Sequence, residues 1–466
     1  MRATLPVLAL SLLAGCPDRT IAAVPVGQNN VEVKDIPVTI NRDLDILFLI
    51  DKSPTMKDEQ AALTANFGHF MQILSGIDGG LPNVHVGVIS QDIGAGGMTV
   101  GGGCSGKGDD GKLLATARVP GCTAPAGQFI SDVAESSGDG TTRIKNYTGT
   151  LEDEFSCIAT LGDMGCGFEQ HLGSLEKALF DQPLNKDFIR PNALLAIIII
   201  SDEDDCTADN TAIYDPANSA AGPFADFRCF EYGWECDEGT MSRGNATYTN
   251  CRPRENSPYL RYPDTLVDRI KALKADPRDI IVSTLIGPSA LSDPQVLQTV
   301  VRVGTQEGQT QAVPQVQPSC VNGSQNAFPM PRIAYFAQQF ENNTFYSLCN
   351  NDLGAGLEKI AETIRRRIGN PCFEADVTLT DKDPQNPGTQ LECTVSETTA
   401  TSESIIPVCK MANATTPAPD AAQPCWYTVP DDDRCASYPT KLKLVIAPEN
   451  RPIADQSHIH AQCITD

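Results

Sequence analysis

The chain has 466 residues and carries 59 acidic against 35 basic side chains, for a net charge of −24. That balance argues against nucleic acid and against anionic membrane surfaces as partners, because both demand clusters of Lys and Arg. The length exceeds one ordinary domain, so a division along the chain is expected.

Residues 1–16, "MRATLPVLALSLLAGC", carry one positive charge at Arg2, an apolar run from Ala3 to Leu13, and then Ala14, Gly15 and Cys16. This reads as a secretory signal peptide, too short to span a bilayer as a permanent helix. Its last four residues resemble the lipobox of bacterial lipoproteins. The resemblance implies that Cys16 is lipid-modified, becomes the new N-terminus and holds the protein in the cell envelope, on a membrane face left open. No later stretch has the ~20 apolar residues needed to span, and "ALLAIIII" at Ala193–Ile200 is of strand length. Apart from Cys16, 16 of the 17 cysteines remain, an even number suited to disulfides in an oxidising compartment.

Residues 17–42 lack helical periodicity and read as a tether. From Asp43 onward, strand-like and helix-like segments alternate. "LDILFLI" (Leu44–Ile50) is a fully buried strand by composition, followed by a helix whose apolar face is Leu63, Phe67, Phe70 and Leu74. "NVHVGVIS" is the next strand. Helices follow near Glu152–Thr160 and at Phe168–Phe180, then "ALLAIIIIS", whose lack of a polar face requires a sheet covered on both sides. A helix at Thr265–Lys274 leads to the strand "DIIVSTLIG", and a helix at Arg332–Phe340 to "TFYSL". A last helix over Asp352–Ile368 has the stripe Leu353, Leu357, Ile360, Ile364 and Ile368. The alternation predicts a doubly wound α/β fold with a mostly parallel sheet over 43–368. Inserts rich in Gly, Thr, Asn and Pro interrupt it at about 94–147 and 205–262. Residues 369–466 change texture to short strands and turns, predicting a small all-β domain. Ten cysteines lie in 43–368 and six in 369–466, so each part can close its own bridges. Spacing makes Cys104/Cys122 and Cys157/Cys166 plausible pairs.

The first strand ends in Asp51-x-Ser53-x-Thr55, directly before a helix. In open α/β sheets the carboxyl edge is where ligands bind. A carboxylate with two hydroxyls on one tight loop suits a hard divalent cation such as Mg2+, with Mn2+ or Ca2+ as alternatives. Helix capping would explain one hydroxyl, but not a carboxylate ending a buried strand. "IIIISDEDDC" places Asp202 after another buried strand, at the same edge. Of the other acids in Asp202–Asp205, solvation is expected.

These two loops together resemble the metal-ion-dependent adhesion site (MIDAS) of von Willebrand factor type A (VWA) domains, over Asp43–Ile368. The resemblance implies a Rossmann-like fold and a cation with one coordination position left for an acidic residue of a partner. It also implies a Thr from a third loop, here within "CIATLGDMGCGFEQHL". That loop offers Thr160, but Asp163 occupies the turn itself. With Asp163 as ligand the cation is held more tightly and needs a partner carboxylate less. By the same resemblance the last helix shifts with ligand state.

Other patterns carry less. "GGGCSGKG" lacks the Ser/Thr that a phosphate-binding loop needs after its Lys. Asp381–Glu392 has Asn386 and two prolines where a calcium loop needs Gly and helical flanks, and reads as a turn. His458 and His460 lack a third ligand. No nucleophile elbow or zinc-protease motif occurs. The sequence therefore predicts a non-enzymatic, lipid-anchored envelope protein that binds a protein or extracellular-matrix ligand through a cation. The alternative is a structural envelope component whose cation only stabilises the fold.

Overall fold

The computed structural model describes residues 32–34 and 42–465, without 78–79, 136–141, 297, 306–310, 323–324, 351, 369–371, 374–380, 399–401, 433–434, 436–438 and 449–457. The signal segment and Cys16 lie outside the described residues.

A seven-stranded mixed sheet organises the first part of the chain. Its strands are β1 (Asp43–Ile50), β2 (Asn83–Ser90), β3 (Ile130–Ala134), β4 (Arg143–Lys145), β5 (Leu194–Ser201), β6 (Ile280–Ile286) and β7 (Asn342–Ser347). In space they run β7-β6-β5-β1-β2-β3-β4. Pairing from β7 through to β2 is parallel, and β3 and β4 add an antiparallel edge. β2 lies to one side of β1 and β5 to the other, so the winding reverses at β1. Crevices at such a reversal, outside the carboxyl ends of the strands, are where α/β sheets bind ligands.

Seven α-helices belong to this part among the described residues: α1 (Lys57–Ser75), α2 (Leu151–Ala159), α3 (His171–Glu176), α4 (Phe227–Gly233), α5 (Asp264–Lys271), α6 (Pro331–Gln338) and α7 (Leu353–Arg367). Alternation along β1 sorts its side chains between two cores, because successive strand residues point to opposite faces. Leu44, Ile46, Phe48 and Ile50 pack with α1, α2 and α7. There Phe48 lies 4.8 Å from Phe155, which stacks on Phe67 at 3.7 Å between ring centroids. Leu47 and Leu49 meet α3, α5 and α6 on the other face. With both faces covered, β1 and β5 have no solvent side to make polar. Asp43 and Asp45 are the exceptions in β1, and both pair with Arg190. Asp45 is the deeper of the two. It is buried at the amino end of the strand and held by the Arg190 guanidinium at 2.9 Å.

Several stretches differ from the sequence reading: α4 lies inside the 205–262 insert, and Thr299–Thr305 and Ala312–Val316 form a small antiparallel sheet with Ala246–Tyr248. The insert expected over 94–147 contains β3 and β4, so part of it is the edge of the main sheet. β3 is short and alternates buried and half-buried residues within Gly- and Ser-rich surroundings, which hides it from a composition test. The segment read as a tether includes the strand Glu32–Lys34, paired antiparallel with the strand His458–Thr465. That pairing joins it to a four-stranded sheet with Cys393–Thr398 and Glu403–Ile406. The separate hairpin Cys425–Pro430/Leu442–Ala447 contributes Trp426 and Leu444 to a core shared with Val395 and Ile459.

Eight disulfides form, five before residue 369 and three after it. The neighbour pairing expected for the first four cysteines is corrected: the bridges are Cys104–Cys166 and Cys122–Cys157. The chain between them folds back, so sequence neighbours bond across the fold and not to each other.

Candidate metal centre

The first loop leaves β1 with its backbone fixed at once. The Asp51 amide donates to the Ile200 carbonyl at 3.0 Å, which extends the β1–β5 pairing by one residue. The Asp51 carboxylate, 0% exposed, accepts the Ser53 amide on Oδ1 at 2.7 Å and the Ser201 hydroxyl on Oδ2 at 2.7 Å. Ser53 and Thr55 bring their hydroxyls within 3.1 Å of each other. Pro54 then opens a single 3-10 turn that runs into α1. Neither Ser53 nor the residue before α1 makes a side-chain cap. The hydroxyls are thus left facing the site and not spent on the helix.

Asp202 follows β5 at the same edge, 3% exposed, and its Oδ1 has no hydrogen-bond partner. Burial pushes its carboxyl up to about 8, and the Asp51 carboxylate adds to the rise, while the Thr55 hydroxyl bonded to it works the other way. Asp51, Ser53, Thr55 and Asp202 are therefore one constellation. A buried carboxylate oxygen without a partner costs free energy unless something positive meets it.

The third loop is drawn in by two anchors. The Gln60 side-chain amide donates to the Asp51 and Gly162 carbonyls, both at 2.9 Å, and its oxygen accepts the Gly162 amide at 3.0 Å. Gly165 donates to the Lys52 carbonyl at 2.9 Å. Asp163 lies between these anchors, half-buried. Thr160 ends α2, and its hydroxyl donates back to the Ser156 carbonyl at 3.0 Å.

The acids after Asp202 are not solvated, contrary to the sequence reading. Asp204 is buried and accepts the Trp234 indole at 2.8 Å and the first amides of α6, Arg332 and Ile333, at 3.1 and 3.2 Å. Asp205 pairs the fully buried Arg332 at 2.9 Å and accepts the Leu172 amide at 2.9 Å. Glu203 bonds the side chain of Glu169, and burial raises both carboxyls well above the usual range. His171 is fully buried beside Asp51 and Asp205, both ring nitrogens without partners, and burial lowers its pKa. Each acid of "DEDD" has a separate task, and none pairs with another as an acid–base couple.

No Lys or Arg side chain offsets the Asp51–Asp202 pair within these contacts, and the imidazole beside Asp51, that of His171, has its pKa lowered by burial. Lys52, next along the first loop, is drawn away to Asp109 at 2.6 Å and Asp92 at 3.2 Å. Among the described residues, no three carboxylate, imidazole or thiol groups converge as a cation site. A cation here would have two carboxylates, hydroxyls and water as its donors, the set that suits Mg2+. Sequence reasoning missed Ser201, Gln60 and Glu59, which sit in or against the constellation. Ser201 had a signal, since it directly precedes Asp202.

The other patterns resolve as structure. "GGGCSGKG" packs against the third loop: Gly167 donates to the Gly102 carbonyl at 2.8 Å, and Cys104 is bonded to Cys166. Asp381 accepts the amides of Asp383 and Gln390, while Glu392 pairs with Lys382. The side chain of His458 lies outside the described residues.

No family model matches this chain, and no curated protein does. Among the solved structures similar to it at low level are two from bacterial pili. The pilus adhesin SpaC from Lactobacillus rhamnosus GG, in an open conformation, is 12% identical at a TM-score of 0.30, over 93% of this chain and 42% of that one. The chain thus spans well under half the length of that adhesin. The vWF domain of the type V pili tip protein Mfa5 from Porphyromonas gingivalis is 13% identical at 0.30, over 72% of this chain and 97% of that one. Likeness at this level does not establish a shared fold.

Proposed function

We propose that Asp51, Ser53, Thr55 and Asp202 hold a divalent cation, Mg2+ with Mn2+ or Ca2+ as substitutes. Through it, the protein binds a protein or extracellular-matrix partner in the manner of a VWA adhesion site. The carrying observation is the orphaned Asp202 Oδ1, buried beside the Asp51 carboxylate with no cationic side chain to meet it. On this reading Asp163, held at the turn between two anchors, is the third-loop residue that meets the cation through its water, since no three carboxylates converge on one point among the described residues. Thr160 is spent on its own helix. Secretion with a lipid anchor at Cys16 would hold this site in the cell envelope.

The test is thermal melting with and without Mg2+. The native chain is expected to gain several degrees, as a ligand bound only by the folded state must stabilise it. Asp51→Ala with Asp202→Ala is expected to abolish the gain. Equal Mg2+-dependent shifts in both proteins would sink the site.

A cation that only stabilises the fold is the second reading, favoured by how firmly the third loop is fixed by Gln60, Gly165 and the Cys104–Cys166 bridge. Pull-downs from envelope extracts separate the two. Partners retained both in EDTA and by Asp202→Ala support the structural role.

A further inference from the structure

Glu59 lies in the first turn of α1, one helical turn beyond Thr55 and next to Gln60, whose amide holds the Asp51 carbonyl. Thr55 sits in the 3-10 turn just ahead of α1 and bonds Asp202, and the Asp202 carboxylate also feels Glu59 directly. Its side chain is only 4% exposed, and its Oε2 has no hydrogen-bond partner. An acid in the first helical turn is common at exposed positions, where the helix dipole favours it. Burial with a bare oxygen is not explained by that role, since the dipole contributes less than burying an unmet carboxylate oxygen costs. Repulsion adds to the cost: Glu59 feels the Asp51 carboxylate, and Asp202 feels Glu59. Direct ligation by all three acids is not what the geometry offers, because no three such groups converge on one point among the described residues.

We propose that Glu59 is an outer-shell acceptor of the cation site: its Oε2 takes a hydrogen bond from water bound to the cation held by Asp51 and Asp202. The inference rests on the cation site proposed above. It gives a partner to two of the buried bare oxygens, the ion for Asp202 and the ion's water for Glu59. It also makes the site selective. Mg2+ gives up its waters reluctantly and keeps several, whereas Ca2+ takes more direct ligands in looser geometry. An acceptor placed for a retained water therefore favours Mg2+. The third carboxylate also lowers the site's need for an acidic residue from a partner.

Calorimetric titration of the full secreted chain with Mg2+ and with Ca2+ tests this, comparing native protein with Glu59→Gln. Outer-shell partners typically control metal affinity by about 10–100-fold. Mg2+ affinity is expected to fall at least ~10-fold, Ca2+ affinity to change by less than about threefold, and the melting temperature in EDTA to hold or rise. Unchanged Mg2+ affinity would overturn the assignment. So would an equal loss for both ions together with a lower melting temperature in EDTA, which marks a structural residue. Glu59→Asp, which keeps the charge but withdraws it by one methylene, is expected to lose Mg2+ affinity as well, and it carries the test if the Gln variant misfolds. Native protein that binds neither ion would overturn the cation site itself, an outcome distinct from failure of Glu59 alone.

Discussion

Without a cation, the Asp202 carboxyl is pushed up to about 8, first by burial and then by Asp51. In the unfolded chain an Asp titrates near 3.9. Between about 4 and about 8 the folded protein therefore keeps a proton that the unfolded chain has released. Stability must fall as pH rises through that window, and the whole penalty is present above it. Asp202→Asn removes the ionisation. In EDTA at about pH 8.5 the variant is expected to melt several degrees above the native protein. Near pH 4 the two should coincide. A gap independent of pH would refute the burial account. Asp51 and Asp202 were legible in the sequence because helix capping does not account for a carboxylate directly after an all-apolar strand. Glu59 was not, since an acid early in a helix already has an ordinary reason to be there. Asp204 and Asp205 were not legible either, because their partners, Trp234 and Arg332, come from distant segments that no local pattern announces.

At the scale of elements, the glycine-rich segment before Cys104 serves backbone packing and not phosphate binding. Gly103 has φ +79°, and a Cβ there would lie 2.3 Å from the Gly165 carbonyl oxygen. Gly165 in turn sits against Lys52 of the first loop, where its own Cβ would meet the Lys52 side chain at 2.6 Å. Three backbones are stacked without room for side chains between them, from the insert through the third loop to the first. Gly103→Ala is expected to cost about 2–4 kcal/mol, from strain and the clash together. Gly106→Ala is the control, with φ +55° but open space around its Cβ, and should cost only about 1–2 kcal/mol. Urea unfolding of both variants measures the difference, and equal losses would remove the stacking argument. Helices and parallel strands were legible from their periodicity, and α7 falls within one residue of its expected span. The stack was not legible, because it depends on which loops the crossovers bring together. The same folding back set the pairing of Cys104 with Cys166.

For the molecule as a whole, alternating strands and helices announced a sheet wound in both directions, and β1 at the reversal follows from that. The edge strands β3 and β4 and the strand Glu32–Lys34 were hidden because they are short and flanked by polar sequence. The disulfides have a further effect. Residues between Cys104 and Cys166 are closed into a loop, and those between Cys206 and Cys229 and between Cys236 and Cys251 into two more. Much of both inserts, the longest irregular stretches and the natural targets for an environmental protease, thus lies inside covalent rings. A nick inside any ring opens it without releasing a fragment. A chain treated with trypsin and stopped early is expected to keep its full mass on a non-reducing gel and to separate into pieces only after reduction. Loss of mass without reductant would show cleavage outside the rings. A protein cut in this way stays in one piece, and wear on its exposed loops does not by itself shed the strands and helices they connect.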